Sequence, residues 1–253
     1  MITRETIKHI TSLREKKYRE QYGEFVVEGE KNVAELLHSS LEKVVVYAKK
    51  EWIEQNAPDY KDRNFQFADV SEKELERISN FTTPNKVLAI AKIKKNSLSE
   101  MAFQSGFTLM LDDIRDPGNM GTILRTADWF GFENVICSPT SVDLYNPKVI
   151  QASMGSFLRV KVVYTDIKNV LMQNSEIPVI GTFMEGMPVA DMKKQVKSGF
   201  VIIGSEAKGI SKEIHPLVTH KVSVPLVPHG DSSPESMNAA VAAGIVMYEL
   251  SGK

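Results

Sequence analysis

A series of short apolar runs constrains the second half of this chain more than any other feature. They are Phe107-Thr108-Leu109-Met110-Leu111, Asn134-Val135-Ile136-Cys137, Val160-Lys161-Val162-Val163, Val179-Ile180-Gly181-Thr182, Phe200-Val201-Ile202-Ile203 and Lys221-Val222-Ser223-Val224. Unbroken apolar strands are covered on both faces, and their alternation with helical stretches predicts an α/β fold with a mostly parallel sheet. Helices are predicted over about 119–130, 147–153 and 235–250. Ligands on such a sheet bind beyond the carboxyl ends of its strands, so the segments that leave those ends carry the chemistry.

The first half reads as a smaller α/β unit. Ile7, Ile10 and Leu13 recur at helical spacing within 3–20. Strands are expected at Phe25-Val26-Val27, Val44–Tyr47, Phe65–Ala68 and Val87–Ala91, with a helix over Glu30–His38. Ser71-Glu72-Lys73-Glu74 is a capping-box pattern opening a helix that runs to Ile78. The polar stretch 94–99 predicts a boundary, giving one domain over 1–96 and another over 97–253. In 253 residues with 42% hydrophobic and 25% charged side chains, the chain has the composition of a soluble globular protein. No apolar run approaches the roughly 18 residues of a membrane span. The single cysteine, Cys137, precludes an internal disulfide and fits a reducing cytoplasm. The net charge of −1 does not mark a nucleic-acid binder. Arg4, Lys8, Arg14, Lys16, Lys17 and Arg19 cluster near the start, and Lys92, Lys94 and Lys95 end the first half. The interleaved Glu5, Glu15 and Glu20 make a solvated helix face as good a reading as an RNA patch.

Three segments follow strand ends. The first, Asp112-Asp113-Ile114-Arg115-Asp116-Pro117-Gly118-Asn119-Met120-Gly121-Thr122-Ile123-Leu124-Arg125, turns at Pro117-Gly118 and enters a helix with Asn119 as its expected N-cap. Thr122 and Arg125, three apart, share a helix face. The second is Gly204-Ser205-Glu206-Ala207-Lys208-Gly209, where small residues let main-chain groups meet a ligand. The third leaves its strand through Val224-Pro225-Leu226 and reaches Ser236-Met237-Asn238 before a helix of small residues. Each alone is equally an ordinary capped helix or strand-to-helix turn. No G-x-G-x-x-G and no P-loop is present, which weakens dinucleotide and NTP readings, and the five histidines show no metal-ligand spacing.

In this order and at these separations the segments resemble the three motifs of the SpoU/TrmH family of RNA ribose 2′-O-methyltransferases, over roughly 105–250. Asn119, Gly121 and Arg125 match the first motif, Gly204-Ser205-Glu206 with Gly209 the second, and Pro225 with Ser236 and Asn238 the third. Residues 10–93 resemble the family's N-terminal L30e-like substrate-binding domain through Phe25-Val26-Val27-Glu28-Gly29 and Thr83-Pro84 before Val87-Leu88-Ala89. Ala207 stands where glycine is common, Ala239-Ala240 replace a frequent Val-Ser, and the loop 227–235, which contains His229, is longer than in many relatives.

The resemblance implies a deep trefoil knot in the C-terminal domain (the SPOUT fold), a rare exception to unknotted topology. It implies S-adenosylmethionine held by Thr182, Gly204, Ser205, Glu206, Val224, Leu226 and Met237, with no metal. It implies a homodimer, and a catalytic set of Arg125, Asn119, Glu206, Ser236 and Asn238 acting on a ribose 2′-hydroxyl of structured RNA. Arginine is a weak candidate for a base, since its ordinary pKa lies above about 12; stabilising the developing oxyanion is the competing role for Arg125. Ribosomal RNA is the expected substrate, with transfer RNA, methylation of a base, or an inactive RNA-binding relative as alternatives.

Overall fold

The fold, a computed structural model, describes residues 2–60, 65–81, 83–227 and 235–251. The chain divides into two compact units, one of residues 1–95 with 143–158, the other of 96–142 with 159–253.

The first unit begins with α1 (Arg4–Ser12) and α2 (Lys16–Tyr22), where the sequence predicts one continuous helix. The break has a physical cause. Arg19 is not part of a basic surface patch but is 2% exposed. Its Nη1 donates to the carbonyls of Leu13 and Arg14 at 2.9 and 2.8 Å, groups that a continuous helix would pair with its own amides. Its Nε and Nη2 donate to Asp143 Oδ2 at 3.0 and 2.6 Å.

Next come β1 (Glu24–Glu28), α3 (Glu30–His38), β2 (Lys43–Ala48), α4 (Lys50–Asn56), β3 (Gln66–Asp69), α5 (Glu72–Ile78) and β4 (Val87–Lys92). The strands lie in the order β1-β4-β2-β3, antiparallel except for β2 and β3. Ile10, Leu13, Val26, Leu75, Ile78, Leu88 and Ile90 fill the space between α1, α5 and this sheet. Both acids of β1 are buried and paired, as buried charges require: Glu24 with Lys92 and His9, each at 2.7 Å, and Glu28 with Ser79 Oγ and the Asn80 amide, also at 2.7 Å. The capping box forms as the sequence predicts. Helix α4 is not among the helices the sequence predicts; only Trp52 of its side chains is buried.

The second unit runs through β5 (Phe107–Asp112), α6 (Pro117–Phe130) and β6 (Asn134–Cys137). The chain then visits the first unit with α7 (Pro147–Ser153) and returns for β7 (Lys161–Tyr164), α8 (Ile167–Gln173), β8 (Val179–Pro188), α9 (Val189–Met192), β9 (Gly199–Gly204), β10 (His220–Ser223) and α10 (Ala239–Ser251). Six strands form one sheet in the order β10-β8-β9-β5-β6-β7, every pair parallel. Strand order reverses between β5 and β9, so the ends of these two central strands open the crevice where ligands bind on doubly wound sheets. Leu109, Met110 and Leu111 of β5 and Phe200, Val201 and Ile202 of β9 are wholly buried, which explains their unbroken apolar character. Cys137 is buried, and burial raises its thiol pKa well above the ordinary value. Among the described residues no helix is long and apolar enough to cross a membrane.

Two helix starts differ from expectation. Helix α6 is capped by Asp116, whose Oδ1 accepts the Asn119 amide at 2.8 Å, with Pro117 at the first helical position. Asn119 is therefore inside the helix and its side chain is free for other work. Helix α10 begins at Ala239 instead of Glu235: Asn238 Oδ1 accepts the Ala240 and Val241 amides at 3.0 and 3.3 Å. His229 and most of the long loop 227–235 lie outside the described residues.

The capping box carries a pH signature. The Ser71 amide and hydroxyl, and the Ile2 amide, lower the Glu74 carboxyl pKa to about 2 from an ordinary 4.5. A depressed carboxyl contributes stability above its unfolded pKa and loses it as pH falls through the folded one. The melting-temperature gap between wild type and Glu74→Ala is therefore full near pH 6. It narrows from about pH 4.5 and closes towards pH 2; thermal unfolding followed by circular dichroism across that range checks it.

Candidate active site

The loops after β5, β9 and β10 all leave the carboxyl edge of the parallel sheet, and a short polar chain joins them. Asn238 Nδ2 donates to Asn119 Oδ1 at 2.9 Å. Asn119 Nδ2 donates to Glu206 Oε1, and the same oxygen accepts the Ala239 amide at 3.1 Å. One residue from each of the three sequence segments thus meets in a single network. Its polarity is forced: a carboxylate only accepts, and the Asn238 oxygen is committed to the amides of α10. Each amide can then point only one way. Glu206 also places its charge at the N-terminus of α10, where a negative group is favoured.

The cofactor residues expected from sequence fall into two groups. Gly204, Ser205 and Glu206 are contiguous at the end of β9. A Cβ on Gly204 would lie 2.1 Å from the Gly209 carbonyl carbon, so the returning chain crosses there at a distance that only glycine permits. Among the described residues, the buried Ser205 Oγ has no hydrogen-bond partner. A buried hydroxyl without a partner is costly and rare, so this atom is open to a further hydrogen bond. Thr182 is half-buried at the end of the paired stretch of β8, its hydroxyl donating to the Ile202 carbonyl at 3.0 Å. Val224 is half-buried, and Leu226, Met237 and Ser236 are exposed. No hydrogen bond joins these four to the Asn119–Glu206–Asn238 network among the described residues.

Arg125 lies on the exposed stripe of α6 with Thr122 and Trp129, opposite the buried Met120, Ile123, Leu124 and Ala127. Among the described residues no carboxylate pairs with it, so its guanidinium keeps its donors.

Sequence reasoning missed the residues that hold these loops. Asp112, at the end of β5, is buried, and its Oδ2 accepts the Ser211 amide at 2.7 Å, tying the segment after β9 to β5. Ser138 and Ser141, just beyond β6, donate to or accept from the turn after β5: the Asp113 amide meets Ser138 Oγ at 2.9 Å and the Ile114 amide meets Ser141 Oγ at 3.1 Å. The Asp-Pro pair at 116–117 was the signal that could have located the α6 cap. The other contacts depend on strand order and have no local signature.

Removing the Asn238 side chain breaks both the α10 cap and the link to Asn119. Asn238→Ala is expected to lower unfolding free energy by about 1 kcal/mol, the usual cost of losing an N-cap. Urea unfolding checks the value, and hydrogen exchange at Ala240 and Val241 checks its location.

Comparison with known proteins follows the same division. Residues 106–248 match the SpoU rRNA Methylase family, and residues 4–89 match the MRM3-like substrate binding domain. The chain is 28% identical, over 97% of its length and 96% of the relative's, to the 23S rRNA (guanosine(2553)-2′-O)-methyltransferase RlmP of Bacillus subtilis. A TrmH-family protein from Porphyromonas gingivalis is 32% identical, with a TM-score of 0.84 over 99% of this chain and 98% of that one. An AdoMet-bound rRNA methyltransferase from Sinorhizobium meliloti is 25% identical, with a TM-score of 0.86 over 99% and 95% of the two chains.

Proposed function

Because this chain belongs to the SpoU rRNA methylase family, we propose that it transfers the methyl group of S-adenosylmethionine to a ribose 2′-hydroxyl of ribosomal RNA. The observation that carries this reading is the hydrogen-bonded union of Asn119, Glu206 and Asn238, one residue from each motif, at the carboxyl edge of the sheet.

The residues present fit the cofactor. The unpartnered Ser205 hydroxyl and the glycine crossing at Gly204 form a tight cradle of main-chain groups, with Thr182, Glu206, Val224, Leu226 and Met237 as its further contacts. When bound, S-adenosylmethionine supplies an electrophilic methyl group on a sulfonium, whose sulfur is already a good leaving group. The protein's task is then to align the ribose oxygen and manage its proton. Asn119, locked by Glu206 and Asn238, presents a fixed face to the nucleotide, and Ser236 shapes the same pocket. Arg125 meets the 2′-oxygen. Its unpaired guanidinium suits stabilisation of negative charge as the hydroxyl proton departs better than it suits proton abstraction.

The same reading takes residues 1–96 as the RNA-recognising domain with an L30e-like fold, and 97–253 as the knotted methyltransferase domain. The close crossings at Gly204 and at Gly186, where a Cβ would lie 2.7 Å from the Lys221 carbonyl oxygen, support the knot. A homodimer is part of it too. Helices α6 and α10 pack together, with Phe130 against Tyr248 at 6.0 Å. Their outer faces leave Trp129 81%, Tyr248 54% and Val241 53% exposed, an apolar surface suited to a second copy. A cytoplasmic location completes the picture.

The test is transfer of labelled methyl groups to ribosomal RNA lacking its modifications. Wild type should yield a 2′-O-methylnucleoside on nuclease digestion and mass spectrometry. Arg125→Ala should lose at least about a hundredfold in rate, as removal of one oxyanion stabiliser does elsewhere, while still binding S-adenosylmethionine. Label on a base, or equal label from both proteins, would refute the assignment. For assembly, Trp129→Asp is expected to shift the mass measured by light scattering from two chains to one.

A further inference from the structure

The turn between β5 and α6 is pinned more heavily than a connection needs to be. Asp113 adopts a left-handed backbone, φ 59°, a conformation that a non-glycine residue holds only when its surroundings impose it. They do so here. Its amide meets Ser138 Oγ at 2.9 Å. Ser138 Oγ lies 3.1 Å from both Thr140 Oγ1 and Ser141 Oγ, and Ser141 Oγ also donates to the Leu111 carbonyl at 3.2 Å. The Val142 amide closes the turn on the Ile114 carbonyl at 2.8 Å. Held in this way, the Asp113 side chain, 16% exposed, accepts Arg115 Nε at 2.8 Å.

What this scaffold presents is Arg115. Its side chain is 67% exposed, its Nε is fixed on Asp113, and among the described residues nothing engages its two terminal nitrogens. A guanidinium anchored through Nε keeps an outward fork of N–H groups whose planar geometry matches two oxygens of a phosphate. Burial opposes ionisation of Asp113, but hydrogen bonds from Arg115 and Thr140 and the charges of Arg115 and Lys208 outweigh it, leaving its pKa below the ordinary value. Lys208 is exposed in the turn closed by the Ser205–Gly209 bridge, just beyond Gly204, which is in register with Asp112 at the end of β5. The segment after β9 is held to β5 by Asp112 and Ser211. Arg115 and Lys208 are exposed cations on a rim whose carboxylates, Asp112, Asp113, Asp116 and Glu206, are each already engaged by N–H donors. This rim follows the ends of β5 and β9, the same two strands that lead to Asn119 and Glu206.

We propose that Arg115, oriented by Asp113 and assisted by Lys208, binds a backbone phosphate of the RNA beside the ribose to be methylated. The inference rests on the methyltransferase reading and deepens it. It assigns Arg115 and Lys208 to substrate positioning and Asp113 to holding Arg115, apart from the cofactor cradle and from Arg125. A phosphate contact of this kind contributes to RNA affinity without sequence preference and is weakened by salt.

The experiment uses the full chain and in vitro transcribed 23S ribosomal RNA, which carries no modifications. It measures KM, kcat, the salt dependence of RNA binding, and S-adenosylmethionine affinity by calorimetry. Arg115→Ala should raise KM for RNA about tenfold and reduce the slope of log affinity against log salt by roughly 0.7–0.9, the share of one phosphate. Its kcat and cofactor affinity should stay within about twofold. Lys208→Ala should act in the same direction more weakly. Arg115→Lys should recover the salt slope but only part of KM, because the charge returns without the fork. Lys197→Ala, a cation elsewhere on the domain, should change none of these. If wild type methylates the RNA and Arg115→Ala leaves KM and slope unchanged, or moves kcat or cofactor affinity instead, the phosphate clamp is wrong and the methyltransferase reading stands. If wild type neither binds nor methylates the RNA, the function falls and the clamp with it.

Discussion

The Glu206 carboxylate occupies a position on which the rest of the site depends. One of its oxygens takes the Asn119 side-chain amide and the first backbone amide of α10. Through Asn119 it also sets the direction of Asn238, whose own oxygen caps that helix. A carboxylate at a helix N-terminus is favoured by the helix dipole and by its unpaired amides, so the geometry is held by ordinary helix physics and not by strain. Segments far apart in sequence are tied together because that one oxygen accepts donors from two of them while Asn119 accepts from Asn238.

Aspartates at the end of β5 do the complementary work, each in a different manner. Asp112 is buried and holds the loop after β9 through the Ser211 amide. Asp113 takes a left-handed turn and anchors Arg115. Asp116 caps α6 and so releases Asn119 from that duty. Because β5 and β9 are adjacent and parallel, with Asp112 in register with Gly204, the loops that follow them start side by side. The sheet thus turns strand order into proximity of functional groups. The wholly buried apolar strands hold that order, since separating them would expose their apolar faces to water.

The first unit shows the same economy with charge. Its buried ions are each paired, and the pairing of Arg19 with Asp143 reaches a residue more than a hundred positions away. That arginine also terminates α1 by occupying carbonyls the helix would otherwise use. A charge cluster that reads as surface in one dimension is in part interior in three.

Legibility followed the range of the interactions. The parallel sheet and the capping box at Ser71 could be read directly, because apolar runs and cap spacing are properties of neighbours along the chain; Asn119, Glu206 and Asn238 stood out only through their resemblance to the family's motifs. Burial of Arg19, the tie from Asp112 to Ser211, the unpartnered hydroxyl of Ser205 and the presentation of Arg115 could not, because each depends on which strands lie side by side. The sequence by itself determined the elements, their hydrophobic faces and the chemical groups available. Only the tertiary structure decided which groups meet, since a hydrogen bond of about 3 Å between residues 119 and 238 exists only once the sheet has brought their loops to one edge.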